Sequence, residues 1–261
     1  MNADYQSETN LLEDRLVEKA LIRVADDRHL WYLRAHHIAL DGYAALTAVR
    51  EVLERYNAAL RGLEHRSPVG ASLAEIVADD QKYQMSSRRE SDRAHWAETV
   101  QDLPERVTLA RRAATAALVP QNLVAGRQLT AEEQDVLDQT ARATSSSAAV
   151  LLTAAFSAYL ARAATTDDVV LSLPVTGRAT AKIKRGSGML ANMLPVRARD
   201  VSRSSMRGLI EQMQRELTGA LRHQRYRFED IRTDAGLADT NTASFGPIVN
   251  LMFFDQPIEI E

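Results

Sequence analysis

His36-His37-Ile38-Ala39-Leu40-Asp41-Gly42 divides two kinds of sequence. Before it, Ala20-Leu21-Ile22-Arg23-Val24 and Leu30-Trp31-Tyr32-Leu33-Arg34-Ala35 are β-rich runs separated by the polar turn Ala25-Asp26-Asp27-Arg28-His29, which predicts a hairpin. After it, Tyr43, Leu46, Val49, Leu53, Tyr56 and Leu60 recur at helical spacing, and Gly62 stands where a C-terminal glycine stop belongs. The seven residues therefore occupy a strand-to-helix loop. Adjacent histidines at the end of a strand point to opposite sides, so only one of His36 and His37 is expected to face any given cavity. Histidine is the natural general base near neutral pH, because its unperturbed pKa of about 6.5 lies close to operating pH. Asp41 falls at the start of the helix, and Gly42 where the backbone can make a sharp entry into it.

Further along, the linker Ser67-Pro68-Val69-Gly70 leads into a charged helical stretch over 72–99 that contains Arg88, Arg89, Arg93 and Trp96. The three arginines read as one exposed helix face, and the Ala-rich segment 110–125 as loop or weak strand. Thr130-Ala131-Glu132-Glu133 is a capping box opening a short helix. Ser145-Ser146-Ser147 precede a helix over 148–163 whose Val150, Leu151, Leu152, Phe156, Tyr159 and Leu160 cover most of its circumference, which predicts burial. Strands are expected over 168–175, 189–196 and 247–254. Between the last two, Ser204 or Ser205 caps a helix carrying Met206, Leu209, Ile210, Met213, Leu217 and Leu221. Helices and strands interleave, so the fold class is α/β, in an α+β two-layer sandwich.

Composition narrows the function. The 261 residues carry 32 Lys+Arg against 35 Asp+Glu, a net charge of -3, which excludes nucleic-acid binding driven by global charge. With 45% hydrophobic and 26% charged residues the chain is of ordinary globular type. Without cysteine there is no disulfide, thiolate metal site or cysteine nucleophile. The acidic, polar opening Met1-Asn2-Ala3-Asp4-Tyr5-Gln6-Ser7-Glu8 has no signal character, and no window approaches the roughly 20 apolar residues of a membrane span. A cytoplasmic protein with no membrane and no nucleic-acid partner is expected by elimination. His29, His65, His95 and His223 show no ligand spacing to the motif, so no metal is expected there.

The histidine loop matches the His-His-x-x-x-Asp-Gly signature of the condensation domains of nonribosomal peptide synthetases, chloramphenicol-acetyltransferase-like acyltransferases. Later blocks recur in order. Ser187-Gly188-Met189-Leu190-Ala191-Asn192-Met193-Leu194-Pro195-Val196-Arg197 resembles the family's Gly-x-Phe-Val-Asn-Thr-Leu-Pro-Leu-Arg block, and His223-Gln224-Arg225-Tyr226-Arg227-Phe228-Glu229 its His-Gln-x-Tyr-Pro-Phe-Glu block. Pro174-Val175-Thr176-Gly177-Arg178 resembles the segment that precedes the Asn block. Trp31-Tyr32-Leu33-Arg34, Tyr83 and the 92–96 stretch look most like siderophore-type synthetases.

This resemblance implies amide formation between carrier-bound thioesters, with His37 deprotonating or orienting the acceptor amine. It implies that His36 points into the protein as support, that Gly42 permits the turn, and that Asp41 is structural, braced by Arg178 or Arg197. Asn192 would lie near the substrate tunnel, positioning substrate or polarising the oxyanion; read by itself it is also a strand-end turn residue. His223 and its block are architectural. Peptidyl or aryl and aminoacyl carrier proteins and adjacent synthetase domains would be the partners, with substrates on phosphopantetheine arms and no bound cofactor. The cluster Arg178, Lys182, Lys184 and Arg185 reads as a solvated loop, or as a seat for an acidic carrier. Compared with the two-lobed family, the chain reads as truncated at both ends: residues 1–110 a partial N-terminal lobe, 111–261 a partial C-terminal lobe. Two alternatives follow: an inactive fragment acting only as a binding or structural piece, and an ester-forming or epimerising member of the same fold.

Overall fold

A computed structural model describes residues 9–65, 70–109, 124–237 and 244–252. The described residues divide into two compact units, the first within 1–85 and 176–191, the second within 86–175 and 192–252.

In the first unit, β1 (Val17–Arg23) and β2 (His29–Ala35) pair antiparallel from Val17↔Ala35 to Arg23↔His29, as the sequence predicts. Leu21 faces Trp31 and Ile22 faces Leu30 across the ladder. Both strands remain largely open, with Leu21 71% and Leu30 50% exposed. Helix α1 (Gly42–Leu60) follows the motif loop. It ends in a Schellman turn: Gly62 takes φ +66, its N–H donates to the Ala59 carbonyl, and the Leu63 N–H donates to that of Ala58. Of its apolar stripe, Tyr43, Tyr56 and Leu60 stay exposed, so helical periodicity here does not translate into a covered face. Helix α2 (Leu73–Gln84) starts with a capping box from Ser72 and Glu75. Its Ile76 packs with Ala71, Ile183 and Leu190.

The second unit holds the large core. The expected helix over 72–99 is in fact two, because Met85 and Ser86 end α2 and cap α3 (Ser87–Thr99). Helix α4 (Ala131–Ala143) has the predicted Thr130–Glu133 box, and α5 (Ala148–Ala164) is capped by Ser147. Strand β3 (Val169–Val175) is apolar and buried almost throughout and pairs antiparallel with β4 (Asn192–Ala198), which starts three residues later than the pattern suggests. Helix α7 (Met206–Arg222), capped by Ser205, buries Leu209, Ile210, Met213, Leu217 and Ala220 against β4 and α5. The short helices α6 (Ala181–Lys184) and α8 (Phe228–Asp234) complete the elements described; α6 belongs to the first unit and α8 to the second.

The expected strand over 247–254 is reduced, among the described residues, to one parallel bridge between Ser172 and Ile248; Phe253 and Phe254 lie outside them, as does most of 110–125. The Ser172 Oγ accepts from the N–H groups of Phe245 and Gly246 at 2.9 and 3.3 Å. A Cβ on Gly246 would sit 1.9 Å from the Val170 carbonyl oxygen, so only glycine allows this approach. Helix α5 is buried on one side but not all round: Leu160 is 0% exposed, whereas Leu152 and Tyr159 are 41% and 57% exposed.

No single described helix is long and apolar enough to cross a membrane; α4 and α5 reach that composition only as a pair bent by 97°. Leu160→Ala is expected to cost about 2–5 kcal/mol in urea unfolding, and Tyr159→Ala less than about 0.5 kcal/mol. Equal costs would show that the buried face of α5 is misassigned.

Candidate active-site loop

Strand β2 ends at Ala35, and the motif begins as a turn. The His36 N–H donates to the Leu16 carbonyl at 2.7 Å, the Ala39 N–H donates back to the His36 carbonyl at 2.9 Å, and residues 37–39 turn between them. Strand alternation therefore does not extend to the histidines. His36 is exposed instead of pointing inward, and its Nδ1 accepts the Ile38 N–H at 3.1 Å. The His37 imidazole is exposed and, among the described residues, engages no other side chain. Gly42 is the exposed first residue of α1 and is absent from the residues with positive φ, so the entry does not use the conformational freedom expected of it.

Asp41 is the hub. Its Oδ1 accepts the Ala44 N–H at 2.8 Å as the N-cap of α1. Its Oδ2 accepts from Arg178 Nη1 at 2.7 Å and from the N–H groups of Leu190 and Ala191 at 2.9 and 3.0 Å. Both partners are buried, with side chains 2% and 0% exposed. Arg178 also donates to the carbonyls of Thr176 and Gly188, each at 3.0 Å, and lies 4.8 Å from the centre of the Tyr43 ring. Gly177, at φ +64, brings the loop so close that a Cβ there would stand 2.1 Å from the Leu190 carbonyl oxygen. Burial alone would raise the Asp41 pKa. The Arg178 bond and the Ala44 and Leu190 N–H groups outweigh it and hold the carboxyl below its ordinary value of 3.8.

Of the two candidate braces, Arg178 is the one that meets Asp41. Arg197 grips Asp168 through Nε at 2.9 and 3.1 Å and donates to the carbonyls of Gln101 and Asp102 at 2.8 Å. It fastens β4 to the segment after α3. The basic cluster is also dispersed: Arg178 is buried, while Lys182 is exposed and pairs with Glu75.

Asn192 differs from its expected role. Its Nδ2 donates to the carbonyls of Gln224 and Tyr226 at 2.9 and 2.7 Å, and its Oδ1 accepts from the N–H groups of Met193 and Phe228, both at 2.9 Å. Two donors and two acceptor positions are all the side chain has. An amide committed in this way to the 224–228 turn has nothing left for an oxyanion.

A second polar cluster, which sequence spacing did not reveal, surrounds His223. Its Nδ1 lies 2.7 Å from Asp92, 131 positions earlier; Asp92 is 1% exposed and also holds Arg88 at 2.9 Å. His95 stacks on His223 with ring centres 4.0 Å apart, and burial, followed by the His223 charge, lowers the His95 pKa. Arg88 and Arg93 are exposed and Arg89 is half-buried, and all three are paired. Arg89 pairs with Asp230 at 3.3 Å and Arg93 with Asp234 at 3.2 Å, so α3 is tied to α8. The separate cues were His223-Gln224 and the 92–96 stretch, but nothing in the sequence joins them.

Asp41→Ala is expected to destabilise the chain by about 3–5 kcal/mol at neutral pH, because it strands a buried guanidinium. The Asp41→Ala/Arg178→Met pair should recover part of the loss in urea unfolding. Because the folded Asp41 pKa is depressed, its contribution is complete above 3.8 and is lost as pH falls through the lower folded value. Asp41→Asn should therefore flatten the acid limb of the stability profile; an unchanged limb would remove Asp41 as its source.

The family model for the condensation domain matches residues 1–260. A dimodular nonribosomal peptide synthase of Bacillus subtilis is 34% identical over 99% of this chain and 11% of its own length. The isonitrile lipopeptide synthase of Streptomyces coeruleorubidus is 34% identical over 98% of this chain and 17% of its own. Among solved structures, the first condensation domain of the calcium-dependent antibiotic synthetase, in complex with a substrate analogue, superposes with a TM-score of 0.80 at 34% identity, covering 94% of this chain and 56% of that one. The starter condensation domain of rhizomide synthetase gives 0.80 at 34% identity over 99% and 58%. The chain thus spans a small part of those synthetases and a little over half of the solved domains. It has the mixed α/β, chloramphenicol-acetyltransferase-like fold of those domains, and it belongs to the condensation-domain family.

Proposed function

We propose that the chain takes part in the condensation step of nonribosomal peptide synthesis, joining two carrier-bound substrates through an amide bond. The observation that carries this reading is the loop built on Asp41: four donors fix its carboxylate, and four positions earlier the His37 imidazole is exposed and, among the described residues, engages no other side chain. A base must be held still yet have its nitrogen free, and this loop meets both requirements.

In the reaction, the acceptor's amine attacks the donor's thioester carbonyl. A C–N bond forms, the C–S bond breaks, and the proton leaving the amine passes by way of His37 to the departing thiolate, or His37 orients the amine for attack. Asp41 and Arg178 position the loop, and His36 closes its turn. Asn192 and Arg197 act through the backbone they hold. The substrates arrive on phosphopantetheine arms of peptidyl or aryl and aminoacyl carrier proteins, in the cytoplasm, alongside the other synthetase domains, and the chain itself supplies no cofactor. The division at residue 110 into parts of two lobes belongs to the same proposal. As product class, a nonribosomal peptide is supported by the two relatives at 34% identity; a siderophore draws support from the enterobactin synthase component F of Escherichia coli (strain K12), 27% identical over 100% of this chain and 20% of its own length.

A reading as a binding or structural piece is favoured by one observation, the open β1–β2 hairpin, whose Leu21, Leu30 and Trp31 are uncovered. Mass spectrometry with two loaded carriers separates the readings. The unaltered chain is expected to form the amide, and His37→Ala to lose at least about 100-fold in rate with unchanged circular dichroism. Equal turnover by the variant excludes His37 as the base. No turnover by the unaltered chain favours the binding piece, and product from a hydroxyl acceptor but not an amine favours the ester-forming branch.

A further inference from the structure

Away from the motif loop, the C-terminal half of α1 carries Glu51 and Glu54, three residues apart and so on one side of the helix. The Schellman turn at Gly62 sends the chain back over that side. It brings His65 to the carboxylates, with Nε2 3.4 Å from Glu51 Oε1 and 3.8 Å from Glu54 Oε2. The three donor atoms all lie within 4.8 Å of one another. The His65 Nε2 atom is buried and makes no hydrogen bond, which an imidazole nitrogen facing two carboxylates would satisfy readily if its direction suited them.

We propose that Glu51, Glu54 and His65 form a binding site for a divalent transition-metal ion of the zinc class. Zinc–nitrogen and zinc–oxygen bonds of about 2.0–2.2 Å in a tetrahedron place neighbouring donors about 3.4 Å apart, close to the 3.4 and 3.8 Å that separate His65 Nε2 from the two carboxylates. One imidazole and two carboxylates leave the fourth position to water. The adjoining depression of about 350 Å³, bordered by Glu54, Asn57, Ala58, Arg61, Leu63 and His65, gives room for it. Two cations compete. Arg55 Nε holds Glu51 Oε1 at 2.6 Å, but its side chain is 60% exposed, so this is a solvent-screened pair that a divalent ion displaces. Arg61 on the rim lowers affinity, which sets the expectation at micromolar binding. The bound ion would fasten residue 65 to the last turns of α1 and so fix where the chain leaves the helix.

Calorimetric titration of zinc ion into the full chain, stripped beforehand with chelator, should show one saturable equivalent with micromolar Kd. His65→Ala should abolish it, Glu51→Gln and Glu54→Gln should each weaken it at least tenfold, and His29→Ala should leave it unchanged. Nitrogen-15 spectra of the unaltered chain should show the His65 Nε2 resonance moving on zinc addition, which tests the site even if a variant misfolds. Absence of saturable uptake, uptake that survives in folded His65→Ala, or a His65 resonance that does not move would each overturn the site and leave the trio an ordinary ion-pair cluster.

Discussion

The first unit rests on a buried carboxylate with four donors. Taking Asp41 and Arg178 out of water costs several kcal/mol for each ion, and Coulomb attraction offsets that only when the remaining valences are filled. Most are filled: Asp41 caps α1 with one oxygen and gathers a guanidinium and two N–H groups with the other, while Arg178 donates from its two terminal nitrogens to two carbonyls and lays its face over Tyr43, leaving its buried Nε without a hydrogen bond. Each partner is needed to justify burying the other. The loop 176–191 cannot leave Asp41 without stranding Arg178, and α1 cannot unwind its first turn without freeing Asp41. The motif loop is rigid for this reason and not because of glycine at position 42.

The second unit follows the same rule with different residues. Asn192 holds the 224–228 turn with a saturated amide, Arg197 bridges Asp168 and two carbonyls, and Asp92 stands between Arg88 and His223. Each has the chemical character of a site residue, yet each has already committed that character to the fold. Polar groups in a core are there chiefly because backbone groups in turns need partners. A substrate amide or oxyanion would have to break such bonds before gaining its own.

Much of the architecture was legible. The hairpin, the glycine stop at 62, the Thr130–Glu133 box, the buried strand of 169–175 and the core face of α7 each follow from local chemistry, because caps, alternation and helical spacing act over a few residues. What local chemistry could not supply was partnership over distance. Arg178 and Arg197 looked alike until one met Asp41, 137 positions away, and the other met Asp168. Arg88 and Arg93 are exposed, as their helix face suggests, but the acceptors that the three arginines reach on 222–234 are invisible from α3. His36, which the family resemblance turns inward, stands one residue past the last strand position, so strand alternation does not orient it.

The seven-residue motif is therefore best understood by how its members distribute their hydrogen-bonding capacity. Asp41 uses both oxygens, and His36 uses its backbone in both directions and one ring nitrogen. His37 alone keeps its functional atoms uncommitted among the described residues. A proton-transfer group works only if its nitrogen is not already satisfied by the protein, and it works quickly only if its backbone does not wander. On the proposed reading, the motif separates those two demands between neighbours, with the anchoring supplied by a carboxylate four positions on and the reactivity left to the imidazole. The saturation of Asn192 sharpens this division, since any stabilisation of a tetrahedral oxyanion must come from groups other than that amide.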